Sequence, residues 1–167
     1  MESFQLANRI ADFLHREGLS LALAESCTGG LVGDHITDVP GSSEVFLGGA
    51  IVYSNQAKMT LLGVHAATLD ARGAVSPECA AEMALGARRL FETDLAVSVT
   101  GIAGPGGGTE DKPLGLTFLH LSAPDAEIGR KAVWKGNRRA NKLSSAREAL
   151  QLLLDYLEAR QNDEPNR

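Results

Sequence analysis

Three short stretches of this 167-residue chain combine residue types that can attack and cleave an acyl bond. The first is Glu25-Ser26-Cys27-Thr28-Gly29-Gly30, set between an apolar run and a helical pattern. A serine on such a strand-to-helix turn lies at the start of a new helix, where the amides of Thr28, Gly29 and Gly30 have no intrahelical acceptor. Amides so placed favour a bound anion or a developing oxyanion. The second stretch, Tyr53-Ser54-Asn55-Gln56-Ala57-Lys58, supplies a lysine. A serine hydroxyl is a weak nucleophile without a base, and these stretches contain no histidine. Lys58 is the base of the right kind, provided that burial lowers its pKa, and Tyr53 is a candidate proton relay. The third stretch, Thr100–Thr109, is a glycine-rich loop that opens on the hydroxyl of Thr100. Together they suggest a Ser–Lys mechanism, with Ser26 as nucleophile and Glu25, Thr28, Gly29, Gly30, Thr100, Gly101 and Gly104 around the substrate.

Each of these residues also has a plainer reading. Serine before a helix is commonly a cap, a lysine on a short helix is commonly solvated, and a tyrosine at a strand end commonly packs. Cys27 reads as a small buried hydrophobe or as a rival nucleophile. Familiar glycine motifs do not fit the loop. No Gly-Lys-Ser/Thr follows it, and Thr109 occupies the third glycine position of a dinucleotide fingerprint. The histidines at 15, 35, 65 and 120 form no metal-spaced pair, and no Cys-x-x-Cys occurs, so no metal is expected.

The elements that must position these stretches follow from periodicity. Helical spacing covers 3–17, 31–36, 55–62, 77–91 and 137–160; apolar runs at 19–24, 45–53, 95–99, 114–121 and 128–134 read as strands. Ser54, and Ser76 followed by Pro77, mark helix starts. Alternating strands and helices predict a single-domain, layered α/β/α fold over 1–160. The last two strands join by a short turn and imply a mixed sheet; 161–167 read as a polar, frayed tail. The three chemical stretches then stand at the carboxyl ends of strands, where open α/β sheets bind ligands.

Composition sets outer bounds. Hydrophobic residues are 44% and charged residues 22%, enough for a packed core and too apolar for a disordered chain. Two cysteines exclude a disulfide scaffold. No run of about 18 apolar residues is present to cross a membrane. The net charge of −5 argues against a general nucleic-acid binder. Residues 130–147 differ, with seven basic residues and no acid. They read as a solvated face or as an anion site. The N-terminus shows no signal-peptide pattern, so the chain is expected to be cytoplasmic.

The motifs Ala24-Glu25-Ser26-Cys27-Thr28-Gly29-Gly30, Tyr53-Ser54-Asn55-Gln56-Ala57-Lys58, Gly73-Ala74-Val75-Ser76, Thr100-Gly101-Ile102-Ala103-Gly104-Pro105 and Lys112-Pro113-Leu114-Gly115 together resemble the CinA C-terminal domain family. The resemblance runs over roughly residues 5–157. It implies a nicotinamide-nucleotide amidase of pyridine nucleotide salvage. Such an enzyme hydrolyses the carboxamide of nicotinamide mononucleotide to nicotinate mononucleotide and ammonia, with Ser26 and Lys58 in the catalytic positions. Near the last helix the family usually reads Gly-Asp-Arg-x-x-Val/Ile-Arg; here the sequence is Gly136-Asn137-Arg138-Arg139-Ala140-Asn141-Lys142. Arg138 is retained and is the candidate for the substrate phosphate. Many relatives carry a further N-terminal domain similar to molybdopterin-binding proteins; its activity is expected to be absent here. The resulting expectation is a homo-oligomeric hydrolase acting on a small nucleotide, without cofactor, metal, nucleic acid or membrane. The alternative is a non-catalytic nucleotide-binding or regulatory module of the same fold.

Overall fold

Strand β1 (Leu21–Glu25) is buried along its whole length, and its two faces differ in size. Leu21 and Leu23 enter one core, Ala22 and Ala24 the other. Strand β3 (Leu95–Gly101) repeats the pattern, with Leu95, Val97 and Val99 on the large side and Ala96 on the small one. This two-residue alternation with both faces apolar is what a strand covered on both sides requires. Helices α1 (Ser3–Glu17), α2 (Leu31–Thr37) and α6 (Arg138–Asp163) cover the large side, burying Leu6, Ile10, Leu14, Leu150, Leu153 and Leu157. On the other side α5 (Pro77–Leu90) presents Ala80, Ala84 and Ala87 to the small-residue face. There the Ser98 hydroxyl donates to the Ala80 carbonyl at 2.6 Å. The computed structural model describes residues 3–163. Among these, no helix is long and apolar enough to cross a membrane.

The sheet is mixed, in the order β2-β1-β3-β4-β5, where β2 is Phe46–Ile51, β4 Leu116–Ser122 and β5 Glu127–Val133. β1 runs parallel to both β2 and β3; β4 and β5 continue antiparallel. The layered α/β/α fold expected from the sequence is therefore the fold observed. The chain leaves β1 for the edge at β2 and then crosses back to β3, so the strand order reverses at β1. A crevice opens outside the carboxyl end of a strand at such a point.

Strand ends shift by one to two residues, and Glu25, read as loop, is the last residue of β1. Ser54 and Ser76 cap α3 (Asn55–Leu62) and α5 as read, accepting from the amides of Ala57 and Cys79. Helix α4 (Ala66–Arg72) was not anticipated. His65 at its start has no side-chain cap; instead the His65 amide donates to the Glu82 carboxylate on α5 at 2.8 Å. The signal for this helix start thus lies 17 residues away along the chain. Gln161–Asp163, read as frayed tail, continue α6, and the rest of that tail lies outside the described residues.

Lys58 is carried by α3, and α3 is seated by a close approach to α5. A Cβ added at Gly86 would stand 2.0 Å from the Leu62 carbonyl oxygen and 2.8 Å from its carbon. Gly→Ala in a helix interior ordinarily stabilises by about 1 kcal/mol. Here the sign reverses, because the backbone of α3 must move. Gly86→Ala is expected to lower stability by about 1–3 kcal/mol, measured by denaturant unfolding; a stabilised variant would show that the two helices are free to separate.

Candidate active site

The serine at residue 26 is fixed by the two strands beside β1. Its amide donates to the Val99 carbonyl of β3 at 3.0 Å, while the Glu25 carbonyl accepts from the Val52 amide after β2 at 2.8 Å. The hydroxyl thus sits at the reversal point of the sheet. Lys58 reaches it from α3: Nζ donates to Ser26 Oγ at 3.0 Å and to the Val52 carbonyl at 2.8 Å. The lysine is 1% exposed. Burial penalises its ammonium form and holds its pKa below the usual 10.5, opposed only by the thiols of Cys79 and Cys27. The solvated-surface reading of Lys58 is therefore excluded, and the residue is poised to give up its proton.

Ser26, Lys58, Tyr53, Thr100, Gly101, Gly104 and Arg138 all line one cleft of about 260 Å³. Cys27, Ala74, Val75, Ile102, Ala103, Gly106 and Gly107 complete its wall. Glu25, Thr28, Gly29 and Gly30 do not line it. Glu25 is buried, and its carboxylate accepts from the amides of Gly30, Val32 and Gly33 at 2.9, 3.2 and 2.9 Å. Its place is at the N-terminus of α2, where a carboxylate satisfies the orphan donors and the helix dipole. Those bonds, with that of the Gly29 amide to the Ser26 carbonyl at 3.2 Å, occupy two of the three amides expected to be free. The amides of Cys27 and Thr28 donate to no carbonyl or carboxylate among the described residues. Thr28 is wholly buried, and its hydroxyl meets no partner among them. Gly30 holds φ at +100°, which lets the turn feed α2.

Tyr53 does not bridge serine and lysine, because those two are in direct contact. It is 63% exposed, and its hydroxyl accepts from Arg138 Nη2 at 2.9 Å. Arg138 Nη1 donates to the Gly104 carbonyl at 2.7 Å, so one guanidinium ties the second stretch to the third across the cleft mouth. Thr100 gives its hydroxyl to the Ala74 carbonyl at 2.8 Å.

Sequence reasoning missed Asn141. This buried side chain stands where the family pattern carries Val or Ile. It donates to the Ala103 carbonyl at 3.1 Å and accepts from the Gly136 amide at 2.9 Å, fastening the glycine loop to α6. Asn137 caps α6, its Oδ1 accepting from the Ala140 amide at 2.9 Å, a task the usual Asp also performs. Lys142 points at the turn after Ser26: a Cβ on Gly29 would lie 3.6 Å from its ammonium.

The basic stretch is not one surface. Arg130 is paired with Glu148 and Asp155 at 2.9 and 2.7 Å, and Lys131 stands 5.9 Å from the Phe118 ring centre. Away from the cleft, Asp34, His35 and Asp38 bring one ligand atom each within 4.8 Å of one another. That grouping was invisible to a search for paired histidines.

Cys27 lies beside Ser26, but burial pushes its thiol up to about 11; Cys79 is likewise pushed up to about 11. Both stay protonated near neutrality, and neither competes as a nucleophile. Both thiols are expected to resist iodoacetamide in the folded protein at pH 7.5 and to react fully in denaturant, followed by mass spectrometry. Rapid labelling of Cys27 in the native state would reinstate the thiol.

Comparison with known proteins places this geometry among relatives. The model of the CinA C-terminal domain matches residues 3–157. The chain is 50% identical over 153 residues to a putative competence-damage inducible protein of Halothermothrix orenii, covering 91% of this chain and 37% of that protein. It is 48% identical over 150 residues to a CinA-like protein of Chlorobaculum tepidum, covering 87% and 36%. The chain thus spans little more than a third of the length of these relatives. Among solved structures, the competence/damage inducible protein CihA of Agrobacterium tumefaciens superposes with a TM-score of 0.90 at 40% identity, covering 93% of this chain and 95% of that one. A CinA superfamily protein of Klebsiella pneumoniae gives 0.91 at 29%, covering 95% and 99%.

Proposed function

This chain belongs to the CinA C-terminal domain family, and from that premise we propose that it hydrolyses the carboxamide of nicotinamide mononucleotide through Ser26 and Lys58. One observation carries the reading: a lysine amine, 1% exposed and with its pKa lowered by burial, lies 3.0 Å from a serine hydroxyl at the floor of a cleft. A solvated lysine could not act as a base near neutral pH; a buried one can.

In this mechanism the neutral amine of Lys58 accepts the Ser26 proton as Oγ attacks the amide carbon. The Val52 carbonyl keeps the amine aimed. The oxyanion of the tetrahedral intermediate falls to the amide of Cys27, which lines the cleft and is left without a carbonyl or carboxylate acceptor. Lys58 returns the proton to the leaving nitrogen, the C–N bond breaks and ammonia departs. Water, deprotonated by the same amine, attacks the ester and releases nicotinate mononucleotide and Ser26. The pyridinium charge of the substrate draws electrons from the carbonyl and assists both attacks. Arg138 uses two of its five N–H donors on Gly104 and Tyr53, leaving others for a phosphate at the cleft mouth.

Ser26→Ala is expected to abolish ammonia release from nicotinamide mononucleotide while the fold survives. Lys58→Arg keeps the charge but cannot yield a proton, so turnover should fall by about 100-fold or more. In the wild type, kcat/KM should rise with pH along a limb whose midpoint lies below 10.5, because activity follows the deprotonated form of Lys58. Ammonia assays across pH check all three. Full activity in Ser26→Ala, or in Lys58→Arg, would remove that residue from the mechanism, and a wild type that binds the nucleotide but releases no ammonia would leave the chain a nucleotide-binding module.

Arg138→Ala should raise KM, and by about tenfold more for the nucleotide than for its riboside. Equal losses on the two would make Arg138 a clamp for the loop alone.

A further inference from the structure

Among the described residues, the lysine that serves as base has no counterion. Its two acceptors, Ser26 Oγ and the Val52 carbonyl, are neutral. The other titratable groups facing it are Cys27, from the turn after β1, and Cys79, from α5. Both thiols are pushed up to about 11 and carry no charge near neutrality. Glu25 is adjacent to Ser26 in sequence, but its carboxylate is spent on three amides of the α2 turn. No aspartate or glutamate lines the cleft among the described residues, and the cation at its mouth is Arg138. A protonated Lys58 is therefore an ammonium buried without an opposite charge, the disfavoured form of this side chain.

We propose that the cleft takes a carboxylate at the position of the scissile amide, as the counterion of Lys58, so that the acid product holds the site more tightly than the amide substrate and brakes the enzyme. The inference rests on the amidase reading for the identity of the two ligands. Amide and acid differ at one group. The amide brings only dipoles to Ser26 Oγ, whereas the carboxylate brings the charge the site lacks. An ionised partner at hydrogen-bond distance roughly doubles the strength of such a contact. Because the acid favours the ammonium form, its binding raises the Lys58 pKa. At pH values where the resting amine is neutral, acid binding must then take up a proton, and amide binding must not. As pH rises beyond that point, the advantage of the acid shrinks.

The test compares nicotinate mononucleotide and nicotinamide mononucleotide on Ser26→Ala, which cannot turn over, by titration calorimetry in two buffers of different ionisation enthalpy between pH 6 and 10. The acid is expected to bind about tenfold or more tightly near neutrality, with proton uptake and a preference that declines as pH rises. The wild type, titrated with the acid alone, should show the same uptake. Lys58→Met, checked for folding by circular dichroism, should lose both preference and uptake. Lys58→Arg should keep the preference and lose its pH dependence. Equal binding of acid and amide, acid binding without proton uptake, or a preference that survives intact in Lys58→Met would each overturn the proposal. The two readings fail separately. Ammonia release without an acid preference keeps the amidase and removes the brake. A Lys58-dependent acid preference in a wild type that releases no ammonia keeps the carboxylate site and removes the amidase.

Discussion

A lysine amine held out of water beside a serine hydroxyl is the most demanding feature of this molecule, and much of the architecture is arranged around it. Removing an ammonium from water costs several kcal/mol, and with no counterion among the described residues burial instead favours the neutral amine, which packing holds in place. Helix α3 must be pressed onto α5, which the missing side chain at Gly86 permits. Helix α5 must in turn lie close on the sheet, which the small residues Ala22, Ala24 and Ala96 permit. The Val52 carbonyl then gives the amine a fixed second acceptor. The alanine-rich face of the sheet is thus as much part of the chemistry as the serine.

The opposite face serves a different need. There Leu21, Leu23, Val97 and Val99 pack under α2 and α6 and supply most of the large-side-chain core. Helix α6 begins at the cleft with Arg138, and α2 begins beyond the turn that follows Ser26. Glu25 satisfies the start of α2, and Asn137 the start of α6. Each keeps a loop in register: the turn after Ser26 in one case, and the glycine loop, through Arg138 and Asn141, in the other. The departures from the family pattern at 137, 141 and 142 fall outside the cleft lining: a cap for a cap, a polar tie to the glycine loop, and a cation over Gly29. Arg138, which does line the cleft, is unchanged.

Much of the fold was legible in the sequence, because the signals were local. Short apolar runs gave the strands, helical spacing and the caps at Ser54 and Ser76 gave the helices, and the short turn at Ala123–Asp125 gave the antiparallel end of the sheet. Helix α4 was not legible, because its N-terminal amide is satisfied by Glu82 of another helix. Ser26, Lys58, Tyr53, Thr100, Gly101, Gly104 and Arg138 were named from the sequence, and all line the cleft.

By itself, then, the sequence determined the residue types and the strand ends at which they stand, since both are set by composition and short-range periodicity. The tertiary structure alone decided how they are used. Glu25 and Lys58 are both charged residues next to glycine-rich or helical signals, and nothing local distinguishes them. Burial against α5 leaves Lys58 with neutral neighbours and a labile proton, while the N-terminus of α2 claims both oxygens of Glu25 for its amides. The same turn consumes the amides of Gly29 and Gly30 and spares those of Cys27 and Thr28. Tyr53 is drawn to Arg138, 85 residues away, rather than to the lysine five residues on. These assignments depend on which groups meet across the sheet edge, and pairings between distant segments carry no periodicity to read.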